Sequence, residues 1–251
     1  MRRRDVERTT KIDCVVKVGG KLCSSPKVIT QVMNYLTEYR ELGRFFVVLG
    51  GGVFADKVRE LYNAKELTED SAHWMAIKAT EMTSLLVANT FQNLHPFSKL
   101  EEFERTWELG GVPTFFPFEY LRTNDELPHS WKVTSDSIAY WVGMKVRARA
   151  VFLVKDVDGI HEGNPGGDFR STPVYKTLTP RKLREVQASW GIPEGTAKYF
   201  AIDPYLPELV ETADYDLPCV VVAYWNLHQV PRIIAGGGGV ATIIRKRQPG
   251  D

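Results

Sequence analysis

Residues 12–21 read Ile-Asp-Cys-Val-Val-Lys-Val-Gly-Gly-Lys, and this stretch decides the fold. The run from Ile12 to Val18 is apolar and β-branched and closes on Gly19 and Gly20, which predicts a buried strand entering a tight turn. A helix is predicted from Pro26. Val28, Ile29, Val32, Met33 and Leu36 recur at helical spacing, Pro26 suits a first turn, and Gly43 marks the stop. The pattern then repeats, with a strand at Phe45 to Leu49, glycines at 50–52 and a helical pattern from Phe54 to Tyr62. Two successive strand, glycine turn and helix units predict a parallel sheet covered on both faces.

Outward from there, helices are predicted from Asp70 to Phe91, Leu100 to Leu109, Ile138 to Val146, Pro180 to Trp190 and Tyr205 to Ala213. Strands are predicted at Val112 to Phe116, Ala150 to Val154, Cys219 to Ala223 and Val240 to Ile244, with a loop from His161 to Phe169. The class is α/β with a mostly parallel sheet and ligand loops at the carboxyl ends of its strands.

The 251 residues carry 32 Lys and Arg against 31 Asp and Glu, a formal charge of +1, which disfavours a nucleic-acid binder built on bulk charge. No apolar stretch approaches the roughly 18 residues of a membrane span, and no secretory leader pattern is seen. Cys14, Cys23 and Cys219 are too few for a disulfide framework or a four-ligand zinc site, so a cytoplasmic protein with reduced thiols and no protein-borne metal set is expected.

A glycine doublet or triplet at a strand end lets backbone amides approach an anion. Taken alone, either turn reads more simply as a tight turn. The flanking Lys17 and Lys21 favour an anion, since a lysine at the end of a buried strand is costly without a negative partner. Lys155-Asp156-Val157-Asp158-Gly159 places two carboxylates and a glycine where a ribose or a magnesium-bound phosphate could lie. Thr134-Ser135-Asp136-Ser137 reads as a helix cap, a catalytic segment, or both. His73 reads first as a half-buried helix histidine, and Trp74, Trp131, Trp141, Trp190 and Trp225 read first as core, with Trp131, in a polar segment, the exception.

The order of KVGGK (17–21), LGGG (49–52), TSDSIA (134–139), VKDVDGIHEGNP (154–165) and GTAKYFAID (195–203) resembles the amino acid kinase superfamily over residues 12–246. Within it, GGGVFADKVRE (50–60), EDSAHWMAIKA (69–79) and HSWKVTSDSIA (129–139) are most similar to the archaeal-type kinases of methanofuran biosynthesis, which convert an aminomethyl-furanyl-methyl phosphate to its diphosphate. The resemblance implies a three-layer αβα sandwich in one domain, with residues 12–150 binding the acceptor and 151–246 binding ATP with Mg2+, and a homo-oligomer as the assembly. It implies that Lys17 bridges the transferring phosphoryl group, that Lys198 holds the ATP phosphates and that Asp136 orients these two lysines. Gly19, Gly20, Lys21, Lys155, Asp156, Asp158, Gly159 and Asn164 fall to the ATP side. Gly51, Gly52, Asp70, His73, Trp131 and Thr134 fall to a small phosphorylated acceptor.

The sequence departs from isopentenyl phosphate kinases, which carry a histidine shortly after the glycine triplet where this chain has Val53-Phe54-Ala55-Asp56. It departs from uridylate kinases at His73 and Trp74, where their helix continues with small residues. The final strand lacks the family's Gly-Thr dipeptide, and the Gly236 to Gly239 run before it is unusual. A storage or sensor protein like the molybdenum storage proteins, which share the fold, is the alternative of another class. The retained Lys17, Asp136 and Lys198 favour catalysis over it.

Overall fold

The computed structural model describes residues 12–162, 172–190, 201–234 and 237–247. The opening strand β1 (Cys14–Val18) leads through a one-turn helix α1 (Gly20–Cys23) into α2 (Pro26–Tyr39), whose N-cap Ser25 accepts a hydrogen bond from the Val28 N–H. Then come β2 (Phe45–Leu49), α3 (Gly52–Asn63), the long α4 (Glu69–Thr90), β3 (Leu94–Phe97), α5 (Phe103–Glu108), β4 (Val112–Phe115) and α6 (Phe118–Thr123). The remainder is α7 (Ser135–Lys145), β5 (Ala150–Lys155), β6 (Thr177–Leu178), α8 (Pro180–Ser189), α9 (Leu206–Thr212), β7 (Cys219–Ala223), α10 (Val230–Ile234) and β8 (Ala241–Ile244).

The strands form one sheet in the order β3-β4-β2-β1-β5-β7-β8-β6, parallel throughout except where β8 runs against β7. The expected mostly parallel αβα class is what the structure has, and the predicted strands and helices lie within a few residues of their expected places. Periodicity did not reveal β3, β6, α6 or α10. Pro96 interrupts β3 in sequence, but β3 is an edge strand, where a missing N–H costs no ladder bond. β6 has only two residues, too short for any alternation.

Strand alternation sorts the core onto two faces. Val15, Phe46, Val48, Val151 and Leu153 pack on one side with Ile138, Tyr140 and Trp141 of α7 and with Leu183 and Leu209. Val16, Val18, Phe45, Val47, Phe152 and Val154 pack on the other with Ile29, Val32 and Met33 of α2. The register sets Val18 beside both Leu49 and Val154, so Gly19, Gly50 and Lys155 leave the sheet side by side at one carboxyl edge.

Candidate active site

The two glycine turns meet backbone to backbone at this edge. A Cβ on Gly20 would lie 2.4 Å from the Gly52 nitrogen, and one on Gly50 would lie 2.5 Å from the Gly20 nitrogen, so no larger residue fits at either place. Gly52 also holds φ of +52°, a left-handed value that favours glycine. The Gly19 and Gly50 N–H groups donate to Val154 and Val18 carbonyls at 2.9 Å each, which ties both turns to the ends of the central strands.

Alternation then decides where the lysines go. Lys17 and Lys155 are odd-numbered like Val15 and Leu153, so both face α7. Asp136, in the first turn of α7, receives them: Lys17 Nζ lies 2.7 Å from its Oδ1, and Lys155 Nζ lies 2.6 Å from its Oδ2. Lys17 is 4% exposed and Asp136 is 3% exposed. Burial alone would raise the Asp136 carboxyl, but Lys155 and Lys17 together hold it down to about 2. Burial pushes the Lys155 ammonium down to about 8, with Asp136 pulling the other way and Lys17 adding to the depression. The triad therefore keeps more positive than negative charge in a dry place beside both glycine turns.

A second buried carboxylate fixes the first. Asp203 accepts from the backbone N–H groups of Thr134, Ser137 and Leu206 and from the hydroxyls of Thr134 and Ser137, at 2.6 to 3.0 Å. It caps the start of α7 and the start of α9 at once. Burial, and then the charge of Asp136, raise its carboxyl above the ordinary range. Thr134 is the N-cap of α7 and accepts a hydrogen bond from the Asp136 N–H, so the cap reading holds, in a segment that also lines the cavity. Asp203 closes the GTAKYFAID stretch but stood out by no chemical signal of its own; only its contacts reveal it.

A cavity of about 630 Å3 runs over these groups. Lys17, Gly19, Gly20, Lys21, Lys155, Asp156, Gly51, Gly52, His73, Trp131, Thr134 and Asp136, all expected at a site, line it, together with Arg59, Glu69 and Asp203, which were not. Lys21 pairs with Asp156 at 2.5 Å in a largely exposed position. Arg59 spreads its guanidinium over the Trp131 ring, 4.9 Å from its centroid, and pairs with Asp56 at 2.6 Å. The Trp131 indole N–H is buried and has no partner among the described residues.

Three expected site residues sit outside that wall. Asp70 turns its carboxylate to His129, 2.5 Å away, and the cavity's carboxylate at that end of α4 is Glu69. Asp158 accepts from Trp225 Nε1 at 2.9 Å and Asn226 Nδ2 at 3.0 Å, tying the β5 exit to the segment after β7. Trp225 is accordingly exposed rather than in the core. Gly159 packs against Thr242 and Val174. Lys198 and Asn164 lie outside the described residues, and the second lysine that the structure sets on Asp136 is Lys155.

The family model for the Amino acid kinase family matches residues 14–223. The chain belongs to the amino acid kinase family. It is 30% identical over 154 residues, 61% of its length and 70% of the relative's, to a [5-(aminomethyl)furan-3-yl]methyl phosphate kinase of Methanocaldococcus jannaschii. It is 22% identical over 190 residues, 72% of its length and 79% of the relative's, to a uridylate kinase of Archaeoglobus fulgidus. Among solved structures, uridylate kinase from Archaeoglobus fulgidus superposes with a TM-score of 0.66 at 19% identity over 93% of this chain and all of that one. UMP kinase from Bacillus anthracis does so at 0.66 and 16% over 95% and 98%, which shows the shared fold. This member of the amino acid kinase family is a phosphotransferase, and no described helix of it is long and apolar enough to cross a membrane.

Proposed function

We propose that this cytoplasmic kinase moves the γ-phosphoryl group of ATP onto the phosphate of a small acceptor, converting [5-(aminomethyl)furan-3-yl]methyl phosphate to its diphosphate. The observation that carries the reading is the buried Lys17, Asp136 and Lys155 triad at the junction of the two glycine turns. Phosphoryl transfer needs little covalent help and mostly positioned positive charge on the migrating oxygens. Lys17 and Lys155 supply that charge, and Asp136 holds both ammonium groups in place while Asp203 holds the start of α7. ATP lies against Gly19, Gly20, Lys21 and Asp156 and the half from residue 151 onward, where Lys198 and Asn164 belong. The acceptor phosphate lies over Gly51 and Gly52 at the amino end of the 12-residue α3, whose dipole favours an anion.

Mg2+ fits this site as a companion of the triphosphate. Asp136 is taken by two lysines, Asp203 by five donors and Asp156 by Lys21, so these three carboxylates are already engaged by protein groups. That suits an ion that keeps its waters and binds mostly through phosphates. Its charge would add to that of the lysines on the transferring group.

The acceptor assignment is supported by the likeness to the Methanocaldococcus jannaschii kinase and by the groups at the α4 end of the cavity. Glu69 suits an ammonium, and the Trp131 indole N–H, without a partner among the described residues, suits a ring or phosphate oxygen. One face of Trp131 is already covered by Arg59, so the acceptor would meet its edge. A homo-oligomer is part of the proposal, since α4 leaves Met75, Met82, Leu85 and Leu86 exposed; sedimentation tests it. The test of function is a coupled ADP-release assay with the furanyl phosphate, UMP and isopentenyl phosphate, with products identified by mass. Preference for the furanyl phosphate is expected. Preference for UMP would give the chain the uridylate kinase reading instead, and tight ATP binding with no turnover on any acceptor would favour storage or sensing.

A further inference from the structure

Beside the cavity, at the amino end of α4, four polar side chains converge that phosphoryl transfer does not use. His73 comes from α4, and Asp125 and His129 come from the segment between α6 and α7. One ligand atom from each lies within 4.8 Å of the other two. Ligand atoms in a tetrahedral zinc site stand about 3.3 Å apart, given bonds of about 2.0 Å, so side-chain rotations on binding would close the gap.

The surroundings already orient these groups. Asp70 Oδ1 lies 2.5 Å from His129 Nδ1, and Asp125 Oδ1 lies 2.9 Å from His129 Nε2. A carboxylate on one ring nitrogen is the usual device that fixes a metal-binding imidazole; the other nitrogen, Nε2, faces Asp125, and an ion would take the place of the proton between them. The His73 and His129 rings stack at 4.2 Å with 17° between planes, and the Trp74 ring stands edge-on to both at about 5 Å. These contacts hold the rings together without an ion, and binding would turn the imidazoles out of the stack so that a nitrogen of each meets it.

We propose that His73, His129 and Asp125 bind a divalent transition-metal ion of the zinc class, with Asp70 as the positioning partner of His129. Two nitrogens and one oxygen suit Zn2+, Co2+ or Ni2+ and not Mg2+ or Ca2+, which prefer all-oxygen shells. Three protein ligands leave a fourth position for water. The ion would clamp the segment carrying Trp131, and leading into Asp136, onto α4, and it would do so whichever acceptor the kinase takes. Of its ligands only His73 also lines the cavity.

The test is titration of chelator-treated full-length protein with Zn2+ and with Co2+, followed by calorimetry, the visible spectrum of Co2+ and thermal melting. One ion per chain, a tetrahedral Co2+ spectrum and a raised Tm are expected. Affinity should fall at least a hundredfold in His73→Ala and His129→Ala and about tenfold in Asp70→Asn, with circular dichroism and ATP binding checking the fold. X-ray absorption of the wild-type zinc form needs no variant and should show two imidazole nitrogens. Absence of stoichiometric binding in the wild type, an all-oxygen or sulfur shell, or binding that survives in the His73→Ala/His129→Ala double variant would each overturn the assignment.

Discussion

Asp136 and Asp70 each sit in the first turn of a helix and each meets a basic partner from a distant segment, yet one is 3% exposed and the other has a side chain 76% exposed. Asp136 is held between two lysines, and its helix start is held in turn by Asp203, in a place where any missing partner leaves a charge in a dry interior. Asp70, His129, Asp125 and His73 form a wetter cluster in which the two exposed carboxylates can trade a partner for water. Burial, with the charge of His129 behind it, lowers His73 to about 4, whereas His129, despite a burial cost, is raised by its hydrogen bonds to Asp70 and Asp125. The difference is one of consequence: the dry cluster is preorganised for one charge distribution, and the wet one is adjustable.

The sharpest way to break this contrast is Lys17→Ala. Loss of one preorganised electrostatic contact should lower kcat by two or more orders of magnitude, about 3 kcal/mol or more, in a protein whose circular dichroism is unchanged. Equal turnover in the folded variant would show that the buried cluster is merely structural.

Asp136→Asn comes next, because it removes the charge that both lysines share. We expect kcat to fall about a hundredfold and stability to drop by roughly 3 to 5 kcal/mol, as for a buried pair that loses one member, read by single-turnover kinetics and urea melts. The wild type should also lose this part of its stability as pH falls from 3.8 to about 2, since its folded carboxyl is depressed to that value. The Asn variant should show no such steepening.

The alkaline limb sharpens the comparison without a mutation. Lys155, pushed to about 8, should lose its proton as pH rises through that value, so kcat/KM, which reports the free enzyme, should fall tenfold per unit above it. Between about 8 and the ordinary lysine value of 10.5 the unfolded chain holds the extra proton, so this group makes stability rise, not fall, with pH. A Tm that drops in step with activity would assign the limb to unfolding instead.

Asp70→Asn should have the smallest effect. An exposed pair contributes up to about 1 kcal/mol, so Tm should move by only a few degrees, and KM for ATP should stay within about twofold of wild type. A loss of kcat as large as that of Asp136→Asn would erase the distinction between the clusters.

The sheet was legible because alternation and helical spacing are local. Ile12 to Val18 and Phe45 to Leu49 each announce a strand and its glycine exit within a few residues. Lys17, Gly20 and Gly52 were legible for the same reason, each being the wrong residue for a strand or helix unless something special happens there. Asp203 was not, because an aspartate before a helix is ordinary, and its five donors come mostly from a segment some 66 to 69 positions away. Arg59 and Glu69 were hidden as ordinary surface charges of α3 and α4 until the cavity formed between them.

The amino-acid sequence by itself determined the parallel α/β layers and the glycine turns at the strand ends, whereas the β1–β5 register put Lys17 and Lys155 on one face. Which second lysine meets Asp136 was decided only in three dimensions. The resemblance to the family set Lys17 and Lys198 on Asp136, whereas among the described residues the pair is Lys17 and Lys155. Likewise Asp70, expected at the acceptor, was claimed by His129, 59 positions away, and Glu69 took the cavity wall. Periodicity is a property of neighbours along the chain, but the partner of a charge depends on strand register and on where α4 and α7 begin, which are fixed only when the whole sheet has closed.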